Sequence, residues 1–236
     1  MMRTNPKNIE VPGPDNRLLH IHTGFTPESW ERFLGRKPAL EEGIFTFPLS
    51  KGFREETTVE ERLGIDGKRW IPRNTFYALT FDPSLSKDVY IFQSVTDAHA
   101  YFLVHKFKRQ VPTFLVLGKN PSVSAIGYVR DTYPGYRFIL GFCRDHLSIA
   151  TEIKIAGLLR NKLVSVRLDR GVYHLQCGDK SARIPADHLS LSNFYKATGL
   201  RWKIRTVKPP LGFNCYYDVL QASSRPEPGT FQSHKI

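Results

Sequence analysis

VYIFQSVTDAHA at 89–100 and FILGFCRD at 138–145 decide how this chain is read. Each opens with an apolar run of four or five residues, too short for a helix and without polar alternation. That is the pattern of a strand buried on both faces. The first run stops at Gln93, the second at Cys143, Arg144 and Asp145, and a helical pattern follows each. Over 96–108, Ala98, Tyr101, Phe102 and His105 fall on one face. Over 146–160, Ile149, Ile153 and Ala156 form a stripe with Ile155 and Leu159 beside it, an apolar surface wide enough to cover a sheet and a neighbour.

Between these segments, TFLVL at 113–117 reads as a strand ended by Gly118, and 122–132 as a helix that starts after Asn120 and Pro121. LVSVRL at 163–168 reads as a fourth strand. The order βαβαβαβ predicts an α/β fold, a parallel sheet with helices on both faces. Ligands of such sheets sit outside the carboxyl ends of the strands. Gln93, Gly118 and the Cys143, Arg144, Asp145 run therefore mark the expected crevice.

The flanks are less regular. Residues 1–86 read as an α+β segment, with a loose arm over the first dozen residues and a short helix over 26–34 that Thr26 caps and Pro27 opens. IFTFPL at 44–49 is expected to be a strand ended by Pro48, and WIP at 70–72 and TFYALT at 75–80 further strands. The charged stretch 54–62 fits either a helix or a solvated strand edge. DPSLSKD at 82–88 is a linker or turn leading into the α/β part, 87–170. Residues 171–221 read as a basic extension packed on the sheet. It holds a strand at 172–176, a helix at 191–197, a strand at 201–207 and a short helix at 216–221. The Ser-, Pro- and Gly-rich 222–236 predicts a disordered tail.

Composition narrows the function. The chain has 236 residues, 41% of them hydrophobic, enough for a sizeable core. No apolar run reaches the roughly 18 residues of a membrane span, and the first residues lack a signal-peptide apolar region. Three widely spaced cysteines, Cys143, Cys177 and Cys215, form no CxxC pair, which points to a reducing, cytoplasmic setting. Residues 1–95 hold 13 Lys+Arg and 13 Asp+Glu, residues 96–170 hold 12 and 5, and residues 171–236 hold 9 and 4, so the whole excess of +12 follows the first site strand. A basic body of this kind favours nucleic acid, DNA or RNA, or a nucleoprotein partner.

The motifs also carry a family resemblance. The segment 88–168 resembles the toprim fold, the metal-binding module shared by topoisomerases, bacterial primases and some nucleases. YIFQSVTDA at 90–98 is similar to its first strand, acidic terminus and helix opening. LVLG at 115–118 is similar to its second strand, and FILGFCRD followed by IAGL at 155–158 to the strand ending in Asp-x-Asp. FTFP at 45–48 resembles a strand upstream of toprim in primase cores. NCYYDVLQ at 214–221 resembles a motif of primase-like toprim proteins of plasmids and conjugative elements.

The resemblance implies a catalytic Glu at the position of Gln93, and an Asp pair at Cys143 and Asp145 that holds Mg²⁺ or Mn²⁺. Here Gln93 brings a neutral amide and Cys143 a soft sulfur, both poorly suited to a hard cation. Only Asp145 keeps the family's acid, with Asp97 available to a residual metal site. The expectation is a non-catalytic, toprim-like nucleic-acid-binding protein tied to replication or transfer of a mobile element. Lys119, Arg144, Arg201, Lys203 and Arg205 are its expected backbone contacts. The alternatives are an active metal-dependent primase or nuclease with substituted ligands, and a protein-interaction or structural module.

Several smaller signals stand beside this. Cys143 reads as a small buried side chain; a thiol nucleophile with His146 as base is the alternative, but His146 falls on the next helix and no third orienting group is evident. His20 and His22 share a strand face, as zinc ligands do, but no Cys or further His completes a set. The 118–122 stretch before a helix is not a Walker A loop and reads as a connecting turn, with phosphate binding on its backbone N–H groups as the alternative.

Overall fold

The structure, a computed structural model, describes residues 25–35, 38–50, 58–79, 86–107 and 112–224. The arm expected over the first dozen residues, the pair His20 and His22, and residues 225–236 of the expected tail lie outside them, whereas 222–224 of that tail are helical, closing the helix that starts at Tyr216.

Helix α1 (Pro27–Leu34) is followed by strands β1 (Ala39–Glu41), β2 (Ile44–Ser50), β3 (Thr58–Gly64) and β4 (Arg69–Trp70), which pair in that order as an antiparallel sheet. Thr26 caps α1 as expected, in a reciprocal capping box with Ser29, and Gly35 ends it in the left-handed conformation. Pro48 does not end β2: it lies inside it, opposite Glu60. Of the ambiguous stretch 54–62, residues 58–62 belong to β3.

The central sheet has the order β12-β8-β6-β7-β5, formed by β5 (Tyr77–Leu79), β6 (Asp88–Phe92), β7 (Thr113–Val116), β8 (Arg137–Gly141) and β12 (Arg205–Thr206). β6, β7, β8 and β12 run parallel, while β5 pairs antiparallel with β7. The connecting helices are α2 (Val95–His105), α3 (Val123–Thr132) and α4 (His146–Leu158). The expected α/β architecture is present, but the sheet is mixed rather than purely parallel. The strand expected at 163–168 is not its fourth member. β9 (Ser165–Asp169) instead forms a separate antiparallel sheet, order β11-β10-β9, with β10 (Val172–Cys177) and β11 (Lys180–Pro185). A two-residue return, Arg170 and Gly171 both at positive φ, is too short for a parallel crossover and folds β9 straight onto β10. The boundary expected at 170 falls in this turn.

The strands alternate between two cores. Val89, Ile91, Leu115, Phe138 and Leu140 face one core with α3, α4, β10, β11 and α5 (Leu191–Thr198). Phe92, Phe114 and Val116 face the other with α1, α2, β2, β3 and α6 (Tyr216–Ser224). Both faces are therefore covered, and Phe45, Phe47, Leu49 and Leu63 of the N-terminal sheet share a core with the central one. Among the described residues no helix is long and apolar enough to cross a membrane.

β6 leads through α2 to β7 on one side, and β7 leads through α3 back across to β8 on the other. The chain direction therefore reverses at β6, and the crevice opens between the carboxyl ends of β6 and β8.

Candidate functional site

Gln93 leaves β6 at this switch point and Cys143 follows β8. The two meet: Gln93 Nε2 donates to Cys143 Sγ at 3.0 Å, and Ser148 Oγ on α4 donates to Gln93 Oε1 at 3.2 Å. The amide thus uses both ends, one as donor and one as acceptor, which a carboxylate in the same place cannot do. Gln93 is 5% exposed and Cys143 4%.

Beneath them lies Asp97, in the first turn of α2 and 2% exposed. Its Oδ2 accepts from Ser94 Oγ at 2.7 Å, and its Oδ1 accepts from the Tyr217 backbone N–H at 3.2 Å. Arg69, on β4, donates to Asp97 Oδ1 at 3.1 Å and to Cys215 Sγ at 3.0 Å, with its guanidinium over the Tyr217 ring at 4.6 Å. Burial works against the charge on Arg69. The Asp97 carboxylate, with the Cys215 and Cys143 thiols, outweighs it and holds the guanidinium protonated. The Cys143 thiol hydrogen-bonded to Cys215, together with burial, pushes the Cys215 thiol up.

Two further buried carboxylates brace the site. Glu61 of β3 accepts from the backbone N–H groups of Val95 at 2.7 Å and Thr96 at 3.0 Å, and from Thr96 Oγ1 at 2.8 Å. It caps α2 from another element, because Ser94, the local cap, satisfies only Asp97 N–H. Burial raises the Glu61 carboxyl to about 7 against these hydrogen bonds. On the other side of β8, Lys208 Nζ donates to Glu152 Oε2 and to the carbonyls of Phe142 and Cys143 at 3.1 and 3.3 Å. Lys208 thus ties the site strand to α4. Burial also raises Glu152 to about 7, opposed by Lys208.

Above this network is an open cleft of about 410 Å³ lined by Arg69, Gln93, Lys119, Cys143, Asp145 and Ser148, among others. Asp145 is exposed and caps α4, its Oδ1 accepting from Ser148 N–H at 2.9 Å. Lys119 is exposed at the rim. Arg144 is committed to a structural contact, its Nε donating to the Pro209 carbonyl at 2.9 Å.

Of the residues singled out in the sequence, some lie at this cleft and others lie away from it. Gln93, Cys143, Asp97, Asp145 and Lys119 do gather there. Arg201, Lys203 and Arg205 do not border the cleft. Arg160, at the far end of α4, donates to the Trp202 carbonyl at 2.7 Å, which places 201–203 at the opposite end of the sheet. The three do alternate with buried Trp202 and Ile204, but only Arg205 is in a strand, and Lys203 has φ +55°.

The smaller signals resolve differently. His146 Nδ1 pairs with the Tyr173 hydroxyl at 2.6 Å, not with Cys143. In the 118–122 turn, the N–H groups of Lys119 and Asn120 donate to the carbonyls of Pro72 and Arg73, and that of Ser122 to Asn74 Oδ1. Those donors are spent, so no phosphate cradle is formed. Arg69, Glu61 and Cys215 were not singled out in the sequence. They reach the site from strands and loops far from it in the chain, and no local pattern marks them.

Asp97, Cys143 and Cys215 place one donor atom each within 4.8 Å of one another. They do not make a Mg²⁺ site of the kind the resemblance implies. Two of the three donors are thiols, the carboxylate already holds a guanidinium, and Asp145 is turned to capping a helix. Compared with protein-family models and with curated proteins, the chain matches none. What fold and site define together is an α/β protein whose switch-point crevice is lined by an arginine held on a buried carboxylate.

Proposed function

We propose that this is a non-catalytic, toprim-like protein that binds nucleic acid, DNA or RNA, through charge, and that its role lies in replication or transfer of a mobile element. The observation that carries the non-catalytic reading is Arg69. A metal-dependent nuclease or primase needs a divalent cation held by carboxylates at this crevice. Here the guanidinium bridges Asp97 and Cys215, and Gln93 is bonded to a thiol rather than poised to move a proton. The nucleic-acid reading rests on the net charge of +12 and on basic side chains that are exposed with no ion pair among the described residues, such as Lys119, Arg201, Lys203 and Arg205.

Binding of fluorescent single-stranded and duplex DNA and RNA, measured across salt with and without Mg²⁺ or Mn²⁺, tests both halves. The expected result is a steep fall of log K with log[salt] that divalent metal does not strengthen, and no polymerisation or cleavage. Salt-independent or absent binding returns the protein to an interaction or structural module. Metal-dependent turnover abolished by Asp145→Ala establishes the enzyme.

A further inference from the structure

We infer that the polyanion lies on the outer face of the β9-β10-β11 sheet, away from the switch-point crevice. This rests on the nucleic-acid reading above and names its surface.

The register across the three strands sets Arg167 opposite His174 and His174 opposite Arg183. The next row on that face is Ser165, Gln176 and Ser181. The alternate residues Tyr173, Leu175, Ala182 and Ile184 are buried in the core with α4 and α5. The sheet is therefore amphipathic, and its outer face carries two arginines, a histidine and three short or amide side chains. Arg167 and Arg183 are exposed, and among the described residues no ion pair holds either of them. A solvated row needs only scattered charge of both signs. On this face the acidic counterpart is Asp169, one row along, opposite Val172.

Two rows of this composition match a phosphodiester backbone. Arginine contacts phosphate oxygens bidentately, and hydroxyl and amide groups supply the remaining hydrogen bonds to phosphate and sugar. With neighbouring strands about 4.8 Å apart, Arg167 and Arg183 stand about 10 Å apart, close to the rise of about three nucleotides along a duplex strand. His174 is the one aromatic ring among the six residues of these two rows, so the face reads chiefly charge and spacing rather than sequence. The basic surface continues around the corner. Val164, just before β9, and Trp202 both pack where Gly157 leaves room, which brings exposed Arg201 and Lys203 beside the start of β9.

Fluorescence anisotropy with a labelled 20-nucleotide duplex and its single strand, from 50 to 250 mM salt, tests this on the full chain. The double variant Arg167→Ala, Arg183→Ala is expected to bind at least tenfold more weakly at 100 mM salt. Its log–log salt slope should fall in magnitude by about 1.8 on duplex or about 1.4 on single strand, two phosphate contacts' worth. A control, Arg62→Ala with Lys68→Ala on the N-terminal sheet, where both cations are paired with acids, is expected to bind as wild type. Both variants change exposed positions, and thermal unfolding followed by circular dichroism verifies that each is folded. A row variant that is folded and keeps wild-type affinity and slope overturns the assignment of this face. Wild-type protein with no salt-dependent binding overturns the nucleic-acid reading itself.

Discussion

Arg69 lies 3.1 Å from Asp97 although 28 residues separate them, and with side chains 16% and 2% exposed the pair is largely withdrawn from water. Their attraction is strengthened by that withdrawal, and so is the penalty for losing one partner. Arg69→Met leaves a buried carboxylate facing thiols, and we expect a loss of about 3–5 kcal/mol of unfolding free energy. Asp97→Asn added to Arg69→Met removes the stranded charge and is expected to recover more than half of that loss. Urea denaturation of the two single variants and the double one measures the coupling. Additive losses would show that the two side chains act independently.

The same pair bears on whether a divalent cation can be held at this crevice. Gln93→Glu with Cys143→Asp introduces two carboxylates, yet the guanidinium stays beside Asp97. We expect this double variant to bind Mn²⁺ no better than wild type by calorimetry. Adding Arg69→Ala is expected to bring measurable binding in the millimolar to micromolar range. Equal Mn²⁺ binding by the double and triple variants would show that Arg69 is not what keeps a cation out.

Glu152 supplies a pH test. Its carboxyl is raised from 4.5 to about 7 by burial. Between these values the unfolded chain ionises while the folded one does not, so stability is full below about 4.5 and is lost as pH rises through about 7. At 1.36 kcal/mol per unit, this one group accounts for about 3 kcal/mol. Glu152→Gln keeps an acceptor for Lys208 and does not titrate. Its unfolding free energy is expected to fall by about 3 kcal/mol less than that of wild type between pH 5 and pH 8. Parallel pH profiles for the two proteins would assign the change to other groups.

The three cysteines are buried, and the Cys177 and Cys215 thiols are pushed up, Cys177 by burial and Cys215 by its hydrogen-bonded neighbour Cys143 and burial. Since the thiolate is the reactive form, the native protein is expected to react with a disulfide reagent at least a hundredfold more slowly than the same protein in denaturant. Rapid native reaction of Cys143 or Cys215 would mean the network opens readily.

At Gly118 the backbone has φ +78°, and an added Cβ would lie 2.8 Å from the Arg73 carbonyl and 2.9 Å from that of Pro72. Gly118→Ala is expected to cost about 1–3 kcal/mol by forcing the 71–74 segment off the end of β7, read as a lower urea midpoint. An unchanged midpoint would show that this segment is loosely held.

The parts of the fold legible in the sequence are those with local causes. The apolar runs at β6, β7 and β8 and the helices after them follow from periodicity, and Thr26, Ser94 and Ser122 mark helix starts by their own side chains. Partner choice between distant strands has no local cause. LVSVRL at 163–168 is as apolar as a sheet strand, yet a tight turn pairs it with β10, and a two-residue strand from 205–206 takes the vacant edge of β8. The site divides in the same way. Gln93 and Cys143 were visible because strand ends are visible. Arg69 and Glu61 come from a strand pair whose docking onto α2 depends on the whole N-terminal sheet, and a lone Arg before Trp70 looks like any edge residue.

The replacement of β9 by β12 has a consequence for synthesis. β8 has no partner on its outer side until residues 205–206 have been made, so a nascent chain, or one cut before them, carries an open hydrogen-bonding edge beside an apolar core. β8 is sealed only by a strand 66 positions further along the chain, Arg205 against Ile139.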